Sequence, residues 1–233
     1  AEDSGPLLVK ALRRGLRPDT TQDDGELGMI KGLEIEVRVS SDFELKGPAG
    51  FELDGLWYIV IGDGSGGSGV IESIVGLQGV IGTNGTFVVA EDTFTPGTAD
   101  QTASINFENS DNVTHMLVAN FFGGFDDLDT DDDGNFDTTP WIAVADSVSL
   151  VETVDSGDLV YSDTQIGPTV DGFVPGHAYR CYDGLSGVWT IGEFELGLTD
   201  TPGDMNPDCE ASGCAGDYDG SGAVATTWYA DND

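Results

Sequence analysis

The hydrophobic and polar positions of this chain group into short stretches of strand length. Residues 33–39 alternate strictly between apolar and polar side chains, which predicts a strand with one buried face and one wet face. The run 56–61 is apolar throughout and predicts a strand buried on both faces. Turn-forming residues separate the remaining strand-like stretches, which lie at 42–46, 70–75, 86–90, 103–107, 113–121, 141–151, 159–161, 178–181 and 188–191.

No stretch of the chain shows the apolar period of a helix, and turn signals recur about every ten residues. The 34 glycines suit many tight turns, and a hydrophobic content of 39% is enough for a core. The pattern therefore predicts an all-β sandwich with long loops. No apolar run approaches the length of a membrane span, so we expect no membrane insertion.

The charge of the chain is strongly negative and unevenly distributed. The formal net charge is -35, and residues 47–233 contain 33 acidic residues but a single basic one, Arg180. Because phosphate binding needs a basic surface, we expect no nucleic-acid partner. Divalent cations are the natural counter-charge, and adaptation to high salt is an alternative origin of the acidity.

Changes in composition divide the chain into three segments: an N-terminal arm at 1–29, the sandwich at 30–206 and an irregular acidic tail at 207–233. Arg13, Arg14 and Arg17 lie close together in the arm. The arm is either a loosely held terminus or a basic segment that docks on the acidic surface of a neighbouring copy. The second alternative favours a homo-oligomer.

The most distinctive stretch is an acidic loop at 126–137, in which seven of twelve residues are aspartate. Its spacing, D-x-D-x-D-G-x-x-D, matches the first nine positions of an EF-hand-type calcium loop. Alternate carboxylates can face one cation, Gly134 allows the bend, and Phe136 can hold the loop on a core. The predicted calcium ligands in this loop are Asp127, Asp129, Asp131, Asp133, Asn135 and Asp137.

The match to a complete EF-hand ends at the twelfth position, which is Pro140 instead of a bidentate glutamate. No amphipathic helix flanks the loop. We therefore predict a calcium loop inserted between strands. The alternatives are a solvated acidic loop without a specific ion, and a magnesium site, which is disfavoured because magnesium prefers few carboxylates and several waters.

The tail repeats the calcium-loop pattern in a weaker form, with Asp217, Asp219 and Ser221 at alternating positions before a glycine. Three cysteines are present, and their odd number leaves one of them unpaired within the chain. Cys209 can pair with Cys214 in a small loop or with Cys181, which would tie the tail to the sandwich. Calcium loops, acidity and a disulfide together favour an extracellular or cell-surface location.

Three motifs in order resemble the bacterial lamin-tail-like domain: residues 42–50, residues 53–64, and Thr-Pro-Gly-Asp-Met-Asn at 201–206. The resemblance covers roughly residues 30–206 and implies an immunoglobulin-like antiparallel sandwich. It does not imply an enzyme. Residues 216–224 resemble the first half of a dockerin-type calcium repeat. The second half is degenerate, so cohesin binding does not carry over.

The case for enzymatic chemistry is weak. His115 and His177 lack metal-ligand spacing, and no nucleophile elbow is present. The glycine-rich stretch 62–69 contains G-x-G-x-x-G, but a strand pattern follows it, which indicates a hairpin loop and not a phosphate loop. Trp141 either packs in the core or stacks on a sugar.

The sequence therefore favours a secreted, calcium-stabilised structural protein that assembles with copies of itself in a surface layer, filament or matrix. The alternative is an accessory module that binds carbohydrate or another cell-surface ligand. A hydrolase ranks third, because no residue pattern indicates one.

Overall fold

The structure is a computed structural model that describes residues 33–38, 42–64, 67–107, 111–169, 171–183, 186–192 and 200–209. The predicted arm at 1–29 lies outside the described residues, as do the predicted ligands Asp217, Asp219 and Ser221. The described part contains eleven strands and no helix. In these ranges no helix has the length and apolar character needed to cross a membrane.

The strands follow one another along the chain in short, regular elements. In order, they are β1 (Glu34–Arg38), β2 (Asp42–Lys46), β3 (Leu56–Gly62), β4 (Val70–Gly76), β5 (Thr86–Ala90), β6 (Gln101–Thr102), β7 (Val113–Ala119), β8 (Ala143–Leu150), β9 (Gln165–Ile166), β10 (His177–Asp183) and β11 (Ser186–Ile191).

The strands form two sheets. One has six strands in the order β11-β10-β1-β2-β5-β6, and the other has five in the order β4-β3-β7-β8-β9. All neighbours are antiparallel except the short strands β6 and β9, which pair parallel with β5 and β8. The predicted all-β sandwich is therefore confirmed, with two sheets that are mixed instead of purely antiparallel.

The main core lies between the two sheets and follows the alternation of the sequence. Ile35 and Val37 of β1 are buried there, while Glu34 and Glu36 alternate with them. Phe43 of β2 stacks on Tyr58 of β3, with ring centroids 3.8 Å apart. Burying these side chains between two sheets is the main favourable contribution to folding.

A second core lies on the opposite face of the five-stranded sheet. Ile59 and Ile61 of β3 are buried in it together with Leu128 and Trp141, which belong to the long connection between β7 and β8. Val60 of the same strand belongs to the main core. The predicted burial of β3 on both faces is confirmed, because this connection covers the face that the other sheet does not reach.

The predictions of strands at 103–107 and 159–161 are wrong. At 159–161, backbone donors bond to side chains: Leu159 to the Ser68 hydroxyl at 3.0 Å and Tyr161 to the Thr114 hydroxyl at 3.0 Å. Ile105 similarly donates its N–H to Glu91 at 3.2 Å. Side-chain acceptors replace a ladder here, so an apolar pattern of strand type does not produce a strand.

The chain returns at 200–209 to the outside of the six-stranded sheet. There Cys209 forms a disulfide with Cys181 of β10. Of the two pairings that the sequence left open, the structure contains the one that ties the end of the sandwich to the sheet.

Candidate metal centre

The acidic loop lies on the second core and is attached to the five-stranded sheet by backbone hydrogen bonds. Leu128, which is 1% exposed, donates its N–H to Gly69 at 3.0 Å, and Ile71 donates to Asp126 at 3.0 Å. Asp137 donates its N–H to the carbonyl of Leu128 at 2.7 Å, which closes the base of the loop. One apolar residue thus anchors a loop that is otherwise almost entirely polar.

The bend inside the loop is organised by Asp129, whose side chain is fully buried. Its carboxylate accepts the N–H groups of Asp133 at 3.1 Å and Gly134 at 2.8 Å. Gly134 has a φ of 86°, in the left-handed region that glycine adopts without strain. The predicted role of this glycine in the bend is confirmed.

Three of the predicted ligands converge. One carboxylate oxygen from each of Asp129, Asp131 and Asp137 lies within 4.8 Å of the other two. At this separation each pair of ionised carboxylates repels by about 1 kcal/mol in water and by about 3 kcal/mol at an effective dielectric constant near 20. Of the alternate carboxylates that the spacing predicts at one centre, Asp129 and Asp131 lie together with Asp137, whereas Asp133 does not join them.

The other three predicted ligands make hydrogen bonds instead of joining this group. Asp133 accepts the backbone N–H of Asn135 at 2.8 Å and its side-chain amide at 2.9 Å. Asp127 accepts the N–H of Asp129 at 3.1 Å. These contacts give the three residues a role in shaping the turn.

The pKa values of the central carboxylates shift in opposite directions. Burial acts to raise the pKa of Asp129, but hydrogen bonds from Tyr161, Gly134 and Asp133 outweigh it and lower that pKa. The charge of Asp133, followed by a partial loss of hydration and the charges of Asp137 and Asp129, raises the pKa of the exposed Asp131. The pKa of Asp131 rises because neighbouring carboxylates repel its charge. A divalent cation bound among these carboxylates would offset the same repulsion.

Tyr161 completes the site, although nothing in the sequence pattern singled it out. Its hydroxyl donates to the Asp129 carboxylate at 2.8 Å, and its ring stacks on Phe136 at 4.6 Å between centroids. Phe136 in turn meets Trp141 edge to face at 5.5 Å. The predicted anchoring role of Phe136 is confirmed, and Trp141, 9% exposed, packs in the core.

The glycine-rich stretch between β3 and β4 lies against the acidic loop. A Cβ atom at Gly69, where φ is 95°, would lie 2.8 Å from the Cβ of Asp129, and one at Gly67 would lie 2.6 Å from an Asp132 carboxylate oxygen. The stretch joins two antiparallel strands, as predicted for a hairpin loop. These glycines allow the acidic loop to approach the sheet closely.

A second group of carboxylates, which the sequence analysis missed, comes from three separate loops. One oxygen from each of Asp63, Asp111 and Asp158 lies within 4.8 Å of the other two. The buried side chain of Asn112 binds the loop that carries Asp158, accepting the N–H of Glu152 at 2.8 Å and donating to the Asp158 carbonyl at 3.0 Å. No local spacing signals this cluster, because its members are brought together only by folding.

Both histidines are buried, and each has a protein partner. Nδ1 of His115 lies 2.7 Å from the Tyr58 hydroxyl, and Nε2 of His177 lies 3.0 Å from a Glu36 carboxylate oxygen. His115 is fully buried and His177 is 3% exposed. Neither belongs to a group of potential metal ligands in the described part of the chain.

Taken together, the fold and the site define an all-β sandwich whose second core is covered by an aspartate-rich loop. No protein-family model matches the chain, and neither the curated proteins nor the solved structures contain a match to it. The resemblance to the lamin-tail-like domain and to a dockerin-type repeat therefore stays a prediction.

Proposed function

We propose that the chain is a secreted structural protein in which calcium holds the acidic loop on the sandwich, and that copies of it assemble outside the cell. The observation that carries the calcium proposal is the convergence of Asp129, Asp131 and Asp137 on one point. Carboxylate oxygens are the ligands that calcium prefers, and several of them are needed at one site.

The distribution of positive charge supports a cation in the loop. The basic residues of the described part are Arg38, Lys46 and Arg180, and all of them belong to strands of the six-stranded sheet. The acidic loop covers the outer face of the other sheet, so Lys46 and Arg180 provide no counter-charge there. A bound divalent ion relieves the repulsion between the carboxylates at the cost of its own dehydration.

The hydrogen bonds of Asp129 leave room for coordination. Its Oδ2 atom accepts hydrogen bonds from Gly134 and Tyr161, whereas Oδ1 accepts the N–H of Asp133. A carboxylate oxygen has two acceptor sites, so Oδ1 retains capacity for a cation while Oδ2 holds the turn. Asp131 and Asp137 are exposed and supply charge from the solvent side.

The effect of calcium on this protein is architectural. An ion that binds only the folded loop stabilises the native state by mass action, by about 2.7 kcal/mol at a free concentration one hundred times the dissociation constant. The loop covers the second core, so its retention also keeps Leu128 and Trp141 buried.

Asp131→Asn tests this proposal, with Asp132→Asn as its matched control. Both substitutions remove one charge from neighbouring exposed positions, but only Asp131 belongs to the converging group. We expect Asp131→Asn to weaken calcium binding at least tenfold in titration calorimetry and to abolish most of the calcium-induced rise in Tm, while Asp132→Asn retains both. Equal behaviour of the two variants, or no calcium-induced change in wild type, contradicts the proposal.

Two further observations support an extracellular, non-enzymatic role. The Cys181–Cys209 disulfide is compatible with an extracellular protein. The two histidines, which are the most versatile acid–base groups near neutral pH, are both buried away from solvent. Self-assembly is supported by the charge distribution of the sequence, because the basic residues of the arm can dock on the acidic surface of a neighbouring copy.

A second candidate function is the binding of a glycan, favoured by aromatic side chains beside the acidic loop. Phe122 and Phe125 are 73% and 68% exposed, which is unusual for large apolar residues. Aromatic rings provide flat apolar faces for sugar rings. A glycan array on which wild type binds and Phe122→Ser with Phe125→Ser does not would favour this function over a purely structural one.

A further inference from the structure

The segment 200–209 crosses the outside of the six-stranded sheet as a strap, with contacts to three strands or their ends. At one end the Asn84 side-chain amide, in the turn before β5, donates to the Gly203 carbonyl at 2.6 Å. Farther along, Asn206 donates its side-chain amide to the carbonyl of Arg180 in β10 at 3.0 Å. Cys209 then closes the strap through its disulfide with Cys181.

Beneath the strap lies a pair of carboxylates on neighbouring strands. Glu36 of β1 and Glu44 of β2 are directly opposite each other in the register, and they are 4% and 3% exposed. Glu44 accepts the N–H of Gly203, and Asn206 lines a small cavity together with both glutamates. Two like charges facing each other across strands are unfavourable, so a backbone donor from the strap stabilises the pair.

The disulfide is the one covalent contact between the strap and the sheet in the described residues. In the described part, hydrogen bonds at Gly203 and Asn206 hold the strap on the sheet, and much of the strap is polar and partly exposed, with Met205 exposed by 65%. Ordering a segment of this kind through a few hydrogen bonds is costly in conformational entropy. Cys209 is partly buried whereas Cys181 is 6% exposed, so Cys209 is the more accessible residue of the pair.

We propose that the strap is a redox-controlled clasp: the Cys181–Cys209 disulfide holds it closed, and reduction opens it and uncovers the acidic outer face of the six-stranded sheet. A dithiol reductant supplies the electrons. Its thiolate attacks Sγ of Cys209, the S–S bond breaks and Cys181 leaves as a thiolate. The second thiol of the reductant then releases Cys209 and becomes oxidised to a disulfide.

This inference is independent of the calcium proposal, because the strap and the acidic loop cover different sheets. In an oxidising environment the clasp stays closed and the paired glutamates stay covered. In a reducing environment the glutamates become hydrated, and closing the strap again requires their desolvation, which opposes closure.

Hydrogen exchange followed by mass spectrometry tests the clasp in the full chain. All proteins carry Cys214→Ser, so that the third cysteine cannot exchange with the disulfide. We expect peptides covering 200–208 to exchange at least tenfold faster after dithiothreitol treatment, and equally fast without reductant in Cys181→Ser with Cys209→Ser. Peptides from β3 and β7 should change less than twofold.

Asn84→Ala serves as the control for the non-covalent contacts, because it removes the bond to the Gly203 carbonyl and leaves the disulfide intact. We expect it to raise exchange in the strap less than threefold. Unchanged protection of the strap after reduction overturns the proposal. Loss of protection in β3 and β7 also overturns it, because the disulfide would then hold the whole sandwich together and not the strap alone.

Discussion

His115 lies in β7 with its ring 5.9 Å from that of Tyr58 and 5.1 Å from that of Phe107, and none of its surface is exposed. Its Nδ1 atom is hydrogen-bonded to the Tyr58 hydroxyl, while Nε2 has no hydrogen-bond partner among the residues that the structure describes. Burial lowers the pKa of His115 to about 3. A single side chain in the core therefore makes the stability of the sandwich depend on pH.

The sign of this dependence follows from which state binds the proton. Between pH 6.5 and about 3 the unfolded chain protonates His115 and the folded chain does not, so acidification favours unfolding. We expect the unfolding free energy of wild type to fall more steeply below pH 6.5 than that of His115→Gln, by at most about 1.4 kcal/mol per pH unit.

Chemical denaturation at pH 7, 6 and 5 measures this difference. The carboxylates titrate in both proteins, so the difference between the two curves isolates the contribution of His115. Parallel curves would mean that His115 takes up its proton equally in the folded and unfolded states.

At the scale of elements, the β7–β8 connection behaves as part of the core and not as a surface loop. Leu128 and Trp141 pack on Ile59 and Ile61 of β3, and Phe136 and Tyr161 pack against them from outside. The backbone of the connection is bonded to Gly69 and Ile71 at the start of β4. The acidic residues are thus attached to the second core, which fixes the positions of their carboxylates.

Leu128→Ala tests how much the second core contributes to stability and to the position of the acidic loop. We expect it to lower the unfolding free energy by about 2–4 kcal/mol, because it leaves a cavity in the second core. Calcium affinity should fall as well, since the buried Leu128 side chain holds the neighbouring residue Asp129 in place. Calorimetric unfolding and calcium titration provide the two readouts.

Val144→Ala is the matched control, because Val144 lies on β8 of the same sheet and is 38% exposed. We expect Val144→Ala to lower the unfolding free energy by less than about 1 kcal/mol. Normal calcium affinity in a strongly destabilised Leu128→Ala protein would show that the loop positions its carboxylates without the second core.

At the scale of the whole molecule, charge decides how copies can meet. A net charge of -35 keeps copies apart at long range, and the described basic residues are confined to the six-stranded sheet. Under the proposal, calcium bound at the acidic loop would lower the repulsion on the opposite side of the sandwich. We therefore expect assembly to depend on calcium.

Light scattering and negative-stain microscopy, with calcium and then with a chelator, measure this dependence. We expect large ordered particles that shrink when calcium is removed, and smaller particles in magnesium at the same concentration. A monodisperse monomer under all conditions contradicts self-assembly and favours the glycan-binding alternative, in which Phe122 and Phe125 form the contact surface.

The sequence by itself determined the features that arise between near neighbours. Strict alternation located β1 and the apolar run located β3. The aspartate spacing indicated a cluster of carboxylates, of which Asp129, Asp131 and Asp137 lie together. These signals are readable because strand pleat and turn geometry repeat over a few residues, so the chain shows locally which side chains share a face.

Only the tertiary structure decided the features that depend on distant segments. It joined Cys181 to Cys209, brought Tyr161 to Asp129, and gathered Asp63, Asp111 and Asp158 from three loops. It also replaced the strand predicted at 159–161 by side-chain hydrogen bonds. The physical reason is that each of these contacts depends on how the two sheets and their loops pack. The distance in space between such segments cannot be read from the spacing of residues along the chain.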